Sequence, residues 1–223
     1  AKVLEVNADR FHLTPLGIHV EEFDPVYKMR EKRKGNSVLG YFARLSPEKG
    51  FDLLIDAFLE LAPEMPEVTL QVAGWLAEKD RNFYDEQLAK VEAAGLSDRF
   101  RHVEAPDGEA KLKFLGEIDL FCVPTRFEEP KGLYVLEAMA GGLPFVAPAH
   151  GPFPEMVSES GGGRLFEPKN AHNQNRVLKE TLADAANLRP LGEAGRAWVK
   201  ENGSREKMAE ATAGVFRKVL SET

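Results

Sequence analysis

Apolar runs of strand length alternate along the chain with longer segments whose apolar residues recur at helical spacing. The strand candidates are FHLTPLG (11–17), SVLGYF (37–42), VTLQVA (68–73), FRHV (100–103), DLFCVP (119–124) and PFVAPA (144–149), with the less strongly patterned GRLFE (163–167) after them. Most read as near-continuous apolar runs, the pattern of strands covered on both faces. Helices are expected over 48–61, 80–94, 108–116 and 132–141. Three more are expected to close the chain near 171–185, 187–201 and 204–222. In the helix expected over 48–61, Phe51, Leu54, Ile55, Phe58 and Leu61 fall on one face. Strand alternating with helix predicts right-handed crossovers and an α/β fold, a Rossmann-like parallel sheet of about six strands with helices on both faces.

The chain has 223 residues, of which 43% are hydrophobic, enough for one large α/β domain. The expected core domain is 11–203. The opening AKVLEVNADR (1–10) has no partner strand and reads as the end of an interdomain linker, and 204–223 reads as a closing helix. The net charge of -7 gives no electrostatic reason to bind nucleic acid. The single cysteine, Cys122, makes no internal disulfide and sits in an apolar run, so a buried hydrophobe in a cytoplasmic protein is expected. The histidines and the cysteine show no metal-ligand spacing, so no metal site is expected.

In an open parallel sheet, ligands bind beyond the carboxyl ends of the strands. The segments there are ARLSPEKG, GWLAEKD, EAPDGE, TRFEEPKG and HGPFPE. Much of this is ordinary loop chemistry. The loop from Thr125 and the helix after it say more. From Leu133 to Phe145 every residue is apolar or glycine except Glu137 and the phenol of Tyr134. Such a helix is expected to be buried, and its own-face neighbours Leu133, Tyr134, Ala140 and Gly141 offer Glu137 no cation. Burying an unpaired carboxylate costs several kcal/mol or more, so a cation or a set of ligand donors is required to answer it. A structural salt bridge or a capped loop amide is the plain alternative.

A second carboxylate, Glu129, precedes the helix by a spacing that lets both acids face one cavity. Between them lie the backbone N–H groups of Lys131, Gly132 and Leu133, at a helix N-terminus suited to an anion. Carboxylates beside an anion hole fit a ligand carrying both phosphate and hydroxyl groups. Arg44 and Lys49 flank the turn after SVLGYF and could meet a diphosphate, although a loop charge is more often simply solvated.

The run EEPKGLYVLEAMAGGLPFVA resembles the Glu-x7-Glu signature of retaining GT-B glycosyltransferases, especially glycosyltransferase family 4. GYFARLSPEKGFDLLIDAF, LTPLGIHVEEFDP and FPEMVSESGGGRLFEP resemble further segments of that family's C-terminal, donor-binding domain, over roughly residues 12 to 220. The resemblance implies one half of a GT-B fold. It implies that Glu137 holds the ribose hydroxyls and Glu129 the transferred sugar. Arg44 and Lys49 would bind the diphosphate with the N–H groups of Gly132 and Leu133. Backbone near Val103, Glu104 and Pro106 would line the base, and Gly74 would sit under the phosphates. It implies transfer from a nucleotide-diphosphate sugar with retention, without a metal or other cofactor. The acceptor, a sugar or a lipid-linked sugar, would be bound by an N-terminal half, without which the domain would be inactive. Lys131 stands where an aromatic residue is common, Leu76 and Pro152 where glycines are, and Glu104 at another glycine position near the base. A non-catalytic nucleotide-sugar-binding module and half of a GT-B sugar-nucleotide epimerase are the alternative readings. Base, sugar, acceptor and membrane association are left open.

Overall fold

The computed structural model describes residues 10–33, 37–104 and 106–221. Among them, helix α1 (Asp24–Glu31) leads into strand β1 (Val38–Phe42), followed by α2 (Phe51–Leu61), β2 (Thr69–Gly74), α3 (Arg81–Ala93) and β3 (Phe100–Glu104). The chain continues through α4 (Gly108–Glu117), β4 (Leu120–Cys122), α5 (Leu133–Ala140), β5 (Phe145–Pro148), α6 (Phe153–Ser160) and β6 (Gly163–Phe166). Helices α7 (Ala171–Ala183), α8 (Ala185–Asn202) and α9 (Arg205–Ser221) follow.

The six strands form one parallel sheet in the order β3-β2-β1-β4-β5-β6. Leu39 pairs with Leu70 on one side and with Leu120 on the other, which centres β1 in the sheet. The order reverses between β1 and β4, the kind of position at which such sheets take ligands. Packing of α2 on α3 and α7 builds one helical layer; α1 on α4 and α5 on α8 build the other. The strands read as continuous apolar runs because both faces are covered: Leu120, Phe121 and Cys122 are all fully buried. Tyr41, Phe51, Phe58, Phe114, Phe121, Phe145 and Phe153 are the largest side chains shut away from water. Burying each contributes on the order of 1.5–3 kcal/mol.

One expected strand is absent. Residues 11–17 form no ladder; Ile18 instead makes a single bridge to Ser204, and Phe11 and Leu13 stay exposed. Pro15 has no N–H to give a ladder. Gly17 packs so closely against the start of α9 that a Cβ there would lie 2.5 Å from the Ser204 carbonyl oxygen. Residues 1–9, most of the expected linker, lie outside the described residues. Two helices, α1 and α6, were not expected. Each carries a proline in its first turn, where the missing N–H costs nothing. Helix α9 has no buried residue, and Phe216 and Leu220 are 65% and 77% exposed. Among the described residues no helix is long and apolar enough to cross a membrane.

Candidate functional site

The β4–α5 loop is sewn to the turn that follows β1. Arg126 forks onto Asp52 with two 2.7 Å bonds and donates to the Pro47 carbonyl. The N–H of Arg126 also meets the Glu48 carbonyl at 2.9 Å. Thr125 is buried, and its hydroxyl lies 3.2 Å from the carbonyl oxygens of both Glu48 and Phe127. Thr125, expected among the nucleotide-binding residues, thus has its hydroxyl engaged inside the loop. His150 Nε2 donates to the Thr125 carbonyl at 3.0 Å, which ties in the segment after β5 as well.

This stitching brings Lys49 and Glu129 together, although 79 residues of chain lie between them. They form an ion pair with side chains only 13% and 9% exposed. The Lys49 ammonium also lies 5.3 Å from the centre of the Tyr134 ring. Burial, and then the charge of Arg44, hold Lys49 below the usual lysine range. Arg44 is thus a near neighbour. It is exposed and, among the described residues, its guanidinium makes no hydrogen bond or ion pair. Its carbonyl is held by the Tyr41 hydroxyl at 2.6 Å. Burial pushes the Tyr134 phenol up, so it stays protonated; its oxygen is enclosed and has no partner among the described residues.

Gly132 sets the entry to α5. Its φ of 65° is left-handed, which glycine takes without penalty. A Cβ there would come within 3.2 Å of both Phe153 and Pro152. The N–H groups of Lys131, Gly132 and Leu133 carry no hydrogen bond among the described residues, so the helix start is open to an acceptor. Arg196, 7% exposed, holds the other end of α5 through the Ala140 carbonyl and pairs with Asp24. Gly74 ends β2 with φ 143°, and any Cβ would fall on the Ala43 carbonyl oxygen. The backbone of β2 therefore lies tight against the chain leaving β1, with Trp75 exposed just beyond.

Glu137 does not meet the expectation of an enclosed, unpaired acid. Its side chain is 24% exposed, and Oε1 lies 2.6 Å from Nζ of Lys111 on α4. Only one side of α5 packs into the core; Leu133 is 41% exposed and Tyr134 and Glu137 are half-buried. The cost of burial therefore needs no ligand to answer it. Both side chains of the pair are mostly buried, 23% and 24% exposed, and each charge answers the other. Sequence spacing around Glu137 does not point to Lys111, which lies on a different helix. The available signal was its place on α4, three and four residues before the buried Phe114 and Leu115, where a lysine interrupts an apolar face.

The remaining residues are more dispersed. Val103 is half-buried and Glu104 exposed at the end of β3; Ala105 lies outside the described residues. Lys131 is exposed and lines a groove of about 910 Å³ shared by Leu13, Leu136, Met156 and Trp198. That groove runs between the N-terminal segment and α8–α9, and neither Lys49, Glu129 nor Glu137 lines it. The Lys131 side chain thus lines a groove that the two carboxylates do not. Among the described residues no group of three or more His, Cys, Asp or Glu side chains could hold a metal ion.

The comparisons agree with this architecture. The chain is 31% identical over 189 residues to the lipopolysaccharide core biosynthesis mannosyltransferase LpcC of Rhizobium leguminosarum bv. viciae, covering 84% of this chain and 53% of that protein. It is 30% identical over 217 residues to an MMP alpha-(1->4)-mannosyltransferase of Mycolicibacterium hassiacum, covering 97% and 50%. The sucrose-phosphate synthase of Thermosynechococcus elongatus superposes with a TM-score of 0.81 at 26% identity, over 95% of this chain and 53% of that one. The chain thus spans about half the length of the curated relatives it matches. Residues 26–198 match the family described as glycosyl transferases group 1, and with a GT-B-type Rossmann domain behind that match the chain belongs to this family.

Proposed function

We propose that this domain binds the donor for a retaining glycosyl transfer of the family 4 type, moving a sugar from a nucleotide-diphosphate sugar to an acceptor. The observation that carries the proposal is the juxtaposition at the β1/β4 crevice of a buried Lys49–Glu129 pair, the exposed Arg44, and the open N–H groups of Gly132 and Leu133. Cations and helix N–H groups suit the diphosphate, and they stabilise its charge as the leaving group departs. Glu129 takes a hydroxyl of the transferred sugar. Glu137 takes the ribose through the oxygen that Lys111 leaves open. The backbone of Val103 and Glu104 lines the base, and Gly74 lets the chain pass beneath the phosphates. No metal is needed where Arg44 and Lys49 supply the positive charge.

The named relatives favour a mannosyl donor. An N-terminal half, corresponding to the part of the relatives this chain does not span, would bind the acceptor. Without it the domain is proposed to bind nucleotide and transfer nothing, in the cytoplasm. The test is calorimetry with UDP, GDP, ADP and dTDP and their sugars. One nucleotide should bind the wild type, and bind Lys49→Ala at least tenfold more weakly. Equal affinity in the two proteins would overturn the assignment of the diphosphate site.

A further inference from the structure

The Lys111–Glu137 contact joins two helices on the same face of the sheet, beside the strand-order reversal. Lys111 Nζ lies 2.6 Å from Oε1 of Glu137. The same ammonium sits 5.4 Å from the Phe42 ring centre and 5.8 Å from that of Phe23. Two aromatic faces and one carboxylate oxygen therefore fix a side chain that would otherwise sample many rotamers. Phe42 ends β1 and itself packs on Phe114 of α4 at 5.9 Å. Glu137 Oε2 has no partner among the described residues. A carboxylate bound through one oxygen and open at the other has one defined direction left in which to accept hydrogen bonds.

We infer that Lys111 is a positioning residue for ribose recognition: it clamps one oxygen of Glu137 so that the other faces a sugar diol. This rests on the proposed ribose role of Glu137. Lys111 acts through that carboxylate and not on the phosphates, so its removal relaxes selection for the diol without touching the anion site.

The test compares GDP with 2′,3′-dideoxy-GDP by calorimetry, repeated with UDP and its dideoxy form, on the wild type, Glu137→Gln, Lys111→Met and Lys111→Arg. The wild type should prefer the ribonucleotide, and Glu137→Gln should lose that preference. Lys111→Met should keep its affinity for the dideoxy form and lose about tenfold in preference, the weight of one charge-assisted hydrogen bond. Lys111→Arg should restore most of it. A preference that survives intact in Lys111→Met overturns this inference alone. Equal weakening toward both ligands also overturns it, as the mark of a structural role. No preference in the wild type overturns the ribose role of Glu137 and this inference with it.

Discussion

The Lys49–Glu129 pair offers a direct reading of how the crevice is held together. Substituting Lys49 by Met leaves the Glu129 carboxylate, 9% exposed, without its cation. Breaking a fully buried pair costs about 3–5 kcal/mol, because one charge stays behind unpaired. Both side chains here reach the crevice edge, where water enters, so about 2 kcal/mol is the working figure. For a domain of this size that lowers the melting temperature by roughly 4–8 °C. Glu129→Gln should cost a similar amount, since it strands Lys49 against Tyr134 and beside Arg44. The double variant Lys49→Met/Glu129→Gln removes both charges and should be no less stable than either single change. A double-mutant cycle by urea denaturation would then give a coupling of about 2 kcal/mol or more. Additivity within about 0.5 kcal/mol would refute the pair as a significant contact.

Other perturbations probe separate parts of the account. Gly74→Ala places a Cβ on the Ala43 carbonyl at a φ of 143°, so we expect a loss of at least about 3 kcal/mol, measured by thermal or urea unfolding, or failure to fold. Gly132→Ala should cost about 1–2 kcal/mol for its left-handed backbone, and should also weaken diphosphate binding by tilting the start of α5; unfolding and calorimetry on the same protein separate the two effects. Lys49 must be protonated to hold a diphosphate, and burial depresses its pKa. Affinity should therefore be full near neutrality and fall on the alkaline side earlier than for an ordinary lysine, a slope that calorimetry across pH would show vanishing in Lys49→Met.

The central strands were legible because a parallel sheet covered on both faces demands apolar residues there, whereas the edge strands β3 and β6 carry Arg101, His102 and Arg164 and stand out less. The segment 11–17 mimics that pattern but is spent on the α8–α9 corner, which no local spacing reveals. Helices α1 and α6 are just over two turns long, and the prolines in their first turns read equally well as loop residues. At the site, the residues near one another in sequence, Glu129, Gly132 and Glu137, could be placed on a loop and a helix start. What sequence spacing could not supply was the partner of each acid. Glu129 meets Lys49 between the loops that follow the neighbouring strands β4 and β1, and Glu137 meets Lys111 across a pair of helices. Both contacts depend on the strand order, which puts β1 next to β4 and α4 within reach of α5. The rule that an all-apolar helix is enclosed also failed at α5, because its first turn opens at the strand edge.

The central claim is that Lys49, Glu129 and the start of α5 form a nucleotide-diphosphate-sugar site. It is tested most directly by calorimetric titration of the wild type and Lys49→Met with GDP-mannose, UDP-glucose and their free nucleotides. Saturable one-to-one binding of one nucleotide class is expected, reduced at least tenfold in the variant. Heat indistinguishable from dilution for every compound, in a protein shown to be folded, would contradict it.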